Sequence, residues 1–139
     1  MITGRCYCGA VLIEVAALPQ TATYCHCVDC RRVTGAPVTA FAAFARGEVV
    51  LSGGPVSHIS HFEGVERWFC TGCGSPLKAR FAYLPDQTYV PLGVLDQADD
   101  MAPSLHCYAQ SGMPWLDIQD DLPRVTDSGA DVLQEAADG

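Results

Sequence analysis

The chain has 139 residues, a formal net charge of -8 and a pI near 4.7. This length suits one domain with its own core, and the negative charge opposes contact with a phosphate backbone, so nucleic acid is excluded as a partner. The first residues lack an apolar export segment, and no stretch approaches the roughly 20 apolar residues of a membrane span. We therefore expect a cytoplasmic protein, either a monomer or a homodimer.

Breaker residues recur about every eight to twelve positions, which predicts short strands and a mainly β fold with little helix. Only 27–33 and 130–136 have the composition for a helical turn or two. From Thr126 onward Asp, Ser, Gly, Ala and Glu dominate, so we expect one β domain at 1–125 and a frayed acidic tail at 126–139. The predicted strands are 10–15, 38–45, 48–51, 57–62, 67–69, 77–81, 88–92 and 105–108.

Eight cysteines in a chain without an export signal indicate a metal site or catalysis, because the cytosol keeps ordinary thiols reduced. Seven of them lie in three tight groups, and only Cys107 stands alone. The groups are Cys6 and Cys8, then Cys25, Cys27 and Cys30, then Cys70 and Cys73.

The first and third groups are each half of a metal site. Alternate side chains of an extended segment point the same way, so Cys6 and Cys8 present both sulfurs on one face. The sequence C-T-G-C-G at 70–74 has the spacing and the glycine of a metal-binding turn. Together they predict a closed structural zinc site. The alternative is a redox-active pair at 70–73, but such a motif normally opens a helix, whereas Pro76 and a predicted strand follow here.

The second group predicts a metal site with an open position. Cys25, Cys27 and Cys30 can converge on one zinc ion, and three protein ligands with a free fourth position are typical of catalytic zinc. An extended backbone turns His26 away from the face shared by Cys25 and Cys27. Three thiolates around a dication leave one net negative charge, which disfavours hydroxide chemistry and favours capture of a thiol as its thiolate. Alternatively, Cys107 or a histidine completes a second structural site.

Three motifs together resemble the glutathione-dependent formaldehyde-activating enzyme family, also called the centromere protein V-like family. They are C-x-C-G at 6–9, C-H-C-x-x-C-R at 25–31 and F-C-x-x-C-G-S at 69–75. The resemblance covers about residues 4–123 and implies a mainly β, β-tent type fold of zinc-stapled antiparallel sheets. It implies a structural zinc at the first and third groups of cysteines and a catalytic zinc at the second. It also implies a carbon-sulfur lyase, similar to S-(hydroxymethyl)glutathione synthase, that joins glutathione to formaldehyde.

The sequence offers candidates for substrate binding and proton transfer. Arg31 and Arg32 can bind a thiol substrate's carboxylate, because guanidinium groups donate forked hydrogen bonds, although one of them can instead balance the anionic zinc site. Histidine is the side chain whose unperturbed pKa suits proton transfer near pH 7. The four histidines are His26, His58, His61 and His106.

Two other functions fit parts of the pattern. A non-catalytic β-tent module would use both zinc ions to hold loops and would bind a protein partner through an apolar patch. A redox enzyme similar to the methionine sulfoxide reductases would use Cys107 as its nucleophile, which leaves the three-cysteine loop without a role. We therefore predict a zinc-dependent enzyme that acts on a small thiol.

Overall fold

The structure is a computed structural model that describes residues 1–130. This part of the chain is mainly β, as the sequence predicts, with ten strands, one α-helix and three short 3₁₀ helices. The strands are β1 Ile2–Arg5, β2 Val11–Val15, β3 Thr21–Cys25, β4 Thr39–Ala45, β5 Val49–Gly53, β6 Val56–Ile59, β7 Val65–Cys70, β8 Pro76–Phe81, β9 Gln87–Pro91 and β10 His106–Cys107. The helices are α1 Val28–Thr34 and the 3₁₀ turns Leu92–Val94, Ala98–Asp100 and Ala109–Ser111.

The strands form two sheets. One has three strands in the order β1-β2-β5, and the other has seven in the order β10-β3-β4-β9-β8-β7-β6. The strand pairs are antiparallel except β10 with β3, which run parallel. The prediction of antiparallel sheets is corrected at this one pair, which sets Cys107 opposite Cys25.

Eight of the ten strands overlap predicted segments, and the sequence does not predict β1 and β3. Strand β1 contains Gly4, a residue that is usually depleted in strands. Here the glycine is required, because a Cβ atom at Gly4 would lie 2.3 Å from the carbonyl oxygen of Val94. Strand β3 is stabilised by pairing on both sides, with β4 and with β10.

Strand β4 is the centre of the fold because it is buried on both faces. On one face Phe44 joins a cluster that also contains Ile13 of β2 and Val90 of β9, so this cluster links the two sheets. On the other face Phe41 joins a second cluster with Cys30 of α1 and Tyr89. Full burial of side chains of this size stabilises the fold by about 1.5–3 kcal/mol each. The second cluster supports the three-cysteine loop.

The predicted tail at 126–139 is only partly described. Its first five residues belong to the domain: the Tyr108 backbone N–H donates to the Asp127 carbonyl at 3.0 Å, and Gly129 is buried. The rest of the tail, including most of the possible helical turn at 130–136, lies outside the described residues. Across residues 1–130, no helix has the length and apolar character to span a membrane.

Candidate metal centres and an adjoining cavity

All seven clustered cysteines lie in two groups, with the same division that the sequence predicts. The larger group contains Cys6 and Cys8 from the turn between β1 and β2, Cys70 from the end of β7, and Cys73 from the turn between β7 and β8. Its four Sγ atoms lie within 4.8 Å of one another, with Cys8 Sγ 3.5 Å from Cys6 Sγ and 3.8 Å from Cys70 Sγ. Four thiols in such a cluster could hold a metal ion.

Hydrogen bonds to two sulfurs of this group, those of Cys6 and Cys73, favour the thiolate form. The Val11 backbone N–H donates to Cys6 Sγ at 3.3 Å. Hydrogen bonds from the Ser75 hydroxyl and backbone lower the pKa of the Cys73 thiol to about 5. Gly74 adopts φ +81° directly after Cys73, a backbone conformation that glycine adopts without strain. The segment at 71–74 is a turn and not a helix N-terminus, unlike the setting of a redox-active C-x-x-C pair.

The smaller group lies where β3 ends and α1 begins. Cys25 is the last residue of β3, Cys27 is the N-cap of α1, and Cys30 lies in its first turn. The Cys30 backbone N–H donates to Cys27 Sγ at 3.2 Å. The three Sγ atoms lie within 4.8 Å of one another and could hold a metal ion.

Hydrogen bonding within the smaller group selects one thiol for deprotonation. Hydrogen bonds from the Cys25 and Cys30 thiols, with the Cys30 backbone N–H, hold the pKa of the Cys27 thiol well below its usual value. The hydrogen bond to Cys27 raises the pKa of the Cys25 thiol. Cys27 is therefore the first of the three to become a thiolate, the form that binds metal ions.

No fourth ligand joins the smaller group among residues 1–130. Cys107 is buried outside the group, and its Sγ contacts the Thr23 hydroxyl at 3.1 Å. Burial raises the pKa of the Cys107 thiol, whereas a reactive cysteine needs a lowered pKa and access to solvent. His26 is also outside the group, with its ring turned towards His106.

A chain of hydrogen bonds lies behind the three-cysteine loop. His26 Nε2 is 2.8 Å from His106 Nδ1, and His106 Nε2 is 2.9 Å from Asp120 Oδ2. The bond from His106 lowers the pKa of Asp120 to about 2, and Arg124 donates to the second carboxylate oxygen at 2.9 Å. The two histidines are 7% and 1% exposed, and Tyr24 stacks on His106 with ring centroids 4.6 Å apart. The sequence pattern did not indicate this chain.

A cavity of about 360 Å³ opens beside the smaller group. Cys25, Cys27 and Cys30 form part of its wall. Its only charged lining residues in the described chain are Arg67 and Asp29. The aromatic lining residues are Phe41, Phe81, Tyr83, Tyr89 and Tyr108. A second cavity of about 380 Å³ shares Phe41 and Arg67 with the first, so the two adjoin.

Arg67 lines both cavities, and the sequence does not predict a role for it. The Arg67 guanidinium lies 5.4 Å from the centre of the Phe81 ring and forms no ion pair within residues 1–130. Neither Arg31 nor Arg32 lines either of these two cavities. Arg31 instead donates to the sulfur of Met113 at 3.1 Å, and Arg32 is exposed on α1.

The histidines named as proton-transfer candidates all lie outside the cavity wall. His26 and His106 are buried behind the loop, while His58 and His61 are exposed near β6. The hydroxyl groups in the wall come from tyrosine, serine and threonine. These residues are Thr23, Tyr83, Tyr89, Tyr108, Ser111 and Ser128.

Comparison with known proteins agrees with this arrangement. A crystal structure of a Rhodobacter sphaeroides protein is similar over 88% of this chain and 99% of that chain, with a TM-score of 0.57 and 22% sequence identity, which supports the shared fold. No match was found among curated protein sequences. The pattern of the glutathione-dependent formaldehyde-activating enzyme family matches residues 1–111, a range that contains every cysteine of both groups. The chain therefore belongs to the glutathione-dependent formaldehyde-activating enzyme family.

Proposed function

We propose that this protein is an enzyme that forms a carbon-sulfur bond between a small thiol and an aldehyde. Glutathione and formaldehyde are the expected substrates, and S-hydroxymethylglutathione is the expected product, formally a carbon-sulfur lyase reaction in reverse. The observation that carries the proposal is the group of three thiols in the wall of a cavity of about 360 Å³. A non-catalytic module would have no need of a cavity at this place.

We propose zinc as the metal at both groups of cysteines. Sulfurs bound to one tetrahedral zinc at about 2.3 Å lie about 3.8 Å apart, and two pairs of sulfurs in the larger group are 3.5 and 3.8 Å apart. Four thiols close that site, as in structural zinc sites, whereas three leave one position for a substrate. When bound at Cys25, Cys27 and Cys30, zinc would accept the substrate sulfur and keep it deprotonated at neutral pH.

The chain's own residues would bind and orient the thiol. Arg67 is the cation of the cavity and can donate two parallel hydrogen bonds to a carboxylate. Its stacking on Phe81 restricts the guanidinium, so less side-chain freedom is lost when a ligand binds. The aromatic side chains make much of the wall apolar and so reduce the water around the reacting atoms. Because the two cavities adjoin at Arg67 and Phe41, an elongated thiol such as a tripeptide has room on both sides.

The reaction at this site is a simple addition. The substrate sulfur supplies the electron pair for the new bond to the aldehyde carbon, and the π pair of the carbonyl moves to its oxygen. Water then protonates that oxygen, which leaves hydroxide. The proton that the thiol released to solvent on binding neutralises this hydroxide, so no net proton is gained or lost. Holding the two reactants together at the correct angle is the main source of acceleration.

Exchange NMR between free glutathione and its hydroxymethyl adduct tests the proposal. The rate is measured in buffer, with the wild type, and with Cys27→Ser, alongside the zinc content of each protein. We expect the wild type to exceed the buffer rate and to hold two zinc ions, and Cys27→Ser to hold one and lose the acceleration. Cys107→Ser is the matched control, and we expect it to keep two zinc ions and the wild-type acceleration. A wild type no faster than buffer contradicts the proposal, and so does loss of the acceleration in Cys107→Ser alone, because the chemistry would then depend on Cys107 and not on the three-cysteine group.

We also propose that the protein works in the cytoplasm as a monomer or homodimer. All eight cysteines are free thiols in the structure, and a reducing compartment keeps such thiols available for metal ions. Light scattering coupled to size-exclusion chromatography tests the oligomeric state.

A further inference from the structure

Tyr108 has an unusual backbone next to the candidate active site. Its φ and ψ are 51° and 43°, and no other non-glycine residue in the described chain has a positive φ. A side chain in this left-handed region is strained, and such residues persist only where surrounding contacts impose them. Here the Tyr108 N–H donates to the Asp127 carbonyl and the Ser111 N–H donates to the Tyr108 carbonyl, each at 3.0 Å.

The strained turn positions the tyrosine ring at the cavity. Tyr108 follows β10, whose parallel pairing with β3 sets Cys107 opposite Cys25. The chain then turns at Tyr108 into the 3₁₀ helix Ala109–Ser111. As a result the Tyr108 side chain lines the same wall as Cys25 and Cys27 and packs against the second buried cluster.

The Tyr108 hydroxyl is available as a donor. No hydrogen bond to another described residue involves it, although Tyr89, in the same wall, donates to Gln87. Burial raises the pKa of Tyr108. The hydroxyl therefore keeps its proton at neutral pH and offers it to any acceptor that enters the cavity.

We propose that Tyr108 is a catalytic residue that donates a hydrogen bond to the aldehyde oxygen while the carbon-sulfur bond forms. The inference rests on the proposed function. The sulfur lone pair forms the new bond, the carbonyl π pair moves to oxygen, and the Tyr108 O–H stabilises the charge that develops there. Water then protonates this oxygen, and Tyr108 remains neutral. A fixed donor stabilises a transition state most effectively when it is aimed at developing charge.

Tyr83 is the competing donor, because it lines the same cavity. Its ring stacks on Phe81 with centroids 5.4 Å apart, and it is 50% exposed, so water has access to it. Its backbone carries no positive φ. The strained backbone therefore favours Tyr108 over Tyr83 as the donor to the aldehyde oxygen.

The test compares Tyr108→Phe with Tyr83→Phe and with Tyr7→Phe, a control whose side chain is 92% exposed and does not line the cavity. For each protein, kcat and KM come from exchange NMR, glutathione affinity from calorimetry and zinc content from elemental mass spectrometry. Removal of one such donor lowers kcat by about 10²-fold. We expect this loss, or a fall to the buffer rate, in Tyr108→Phe, with KM, glutathione affinity and zinc content unchanged, and no change in Tyr7→Phe.

Three results overturn the inference while leaving the proposed function intact. They are a wild-type kcat in Tyr108→Phe, a loss of kcat in Tyr83→Phe alone, and a loss in Tyr108→Phe accompanied by equal loss of zinc or glutathione affinity, which would indicate a structural role. A wild type that matches the buffer rate overturns the proposed function and this inference with it.

Discussion

His26 and His106 join the three-cysteine loop to the neighbouring strand through a buried contact of 2.8 Å between Nε2 and Nδ1. His26 lies between two candidate ligands, Cys25 and Cys27, so the contact restrains the backbone that carries both sulfurs. When His106 is neutral and donates through Nε2 to Asp120, its Nδ1 must accept the proton of His26. The chain of bonds thus links the three-cysteine loop to Asp120 through two buried rings.

We predict that His106→Gln lowers zinc affinity at the three-cysteine group by about tenfold or more, the usual effect of removing a residue that orients a metal site. The four-cysteine group serves as the internal reference in a competition titration with a chromophoric chelator. Asp120→Asn, at a more exposed position, should weaken the same site to a smaller extent. His58→Gln, an exposed histidine stacked on Trp68, is the matched control. Equal losses at both groups would mean general destabilisation and would contradict the prediction.

Arg67→Met should raise the KM for glutathione by about tenfold to a hundredfold, because a hydrogen bond to a charged group contributes about 1.5–3 kcal/mol. The KM for 2-mercaptoethanol, which has no carboxylate, should not change. Arg46→Met, an exposed arginine bonded to the Pro85 carbonyl, is the control. Arg32→Met tests the prediction from the sequence that Arg32 binds the carboxylate of the thiol substrate. An equal rise in KM for both thiols in Arg67→Met would indicate that Arg67 shapes the cavity and does not bind the carboxylate.

The two groups of cysteines should differ in their effect on stability. Cys70 is fully buried, and its group ties the β1–β2 turn to the β7–β8 turn, regions that are far apart in sequence. Because binding energy at a structural zinc site is also folding energy, Cys73→Ser should greatly lower the melting temperature. Cys27→Ser should remain folded with a smaller decrease. Calorimetry measures the melting temperature of both variants. Equal melting temperatures would contradict the prediction that the four-cysteine group contributes more to stability.

Tyr89 provides a prediction for alkaline pH. Burial raises its pKa above the usual tyrosine value, so the folded state binds this proton more tightly than the unfolded state. The contribution of the neutral hydroxyl is complete below about pH 10, the unfolded pKa, and declines as pH rises further. The difference in the free energy of unfolding between wild type and Tyr89→Phe should therefore be constant below pH 10 and fall above it. Urea unfolding across this pH range measures the difference. A difference that does not depend on pH would contradict a raised pKa of Tyr89 in the folded state.

The spacing of the cysteines predicts both groups because each part of a site is local. Cys25, Cys27 and Cys30 lie on a loop too short to separate them, and the turn at 70–74 carries its own glycine. Likewise, alternation along β2, where Val11, Ile13 and Val15 are buried, is visible as a period of two. Short-range geometry of this kind is encoded in neighbouring residues.

The cavity wall could not be predicted in the same way. Arg67 comes from β7, Phe81 from β8 and Tyr108 from the turn after β10, and only the strand order brings them to Cys25. A parallel pair of two residues, β10 with β3, has almost no signal in the sequence. The direction of a histidine or arginine side chain also depends on these long-range contacts, so the sequence indicates Arg31, Arg32 and the histidines as candidates and does not indicate Arg67.

We propose above that the three-cysteine group binds a metal ion with a position open to a thiol. Replacing zinc with cobalt and recording the thiolate-to-cobalt charge-transfer absorption during a glutathione titration tests it most directly. We predict that the absorption rises to saturation in the wild type and stays constant in Cys27→Ser, which keeps only the four-cysteine group. A spectrum that glutathione leaves unchanged in the wild type would show that no open position exists and would contradict the account.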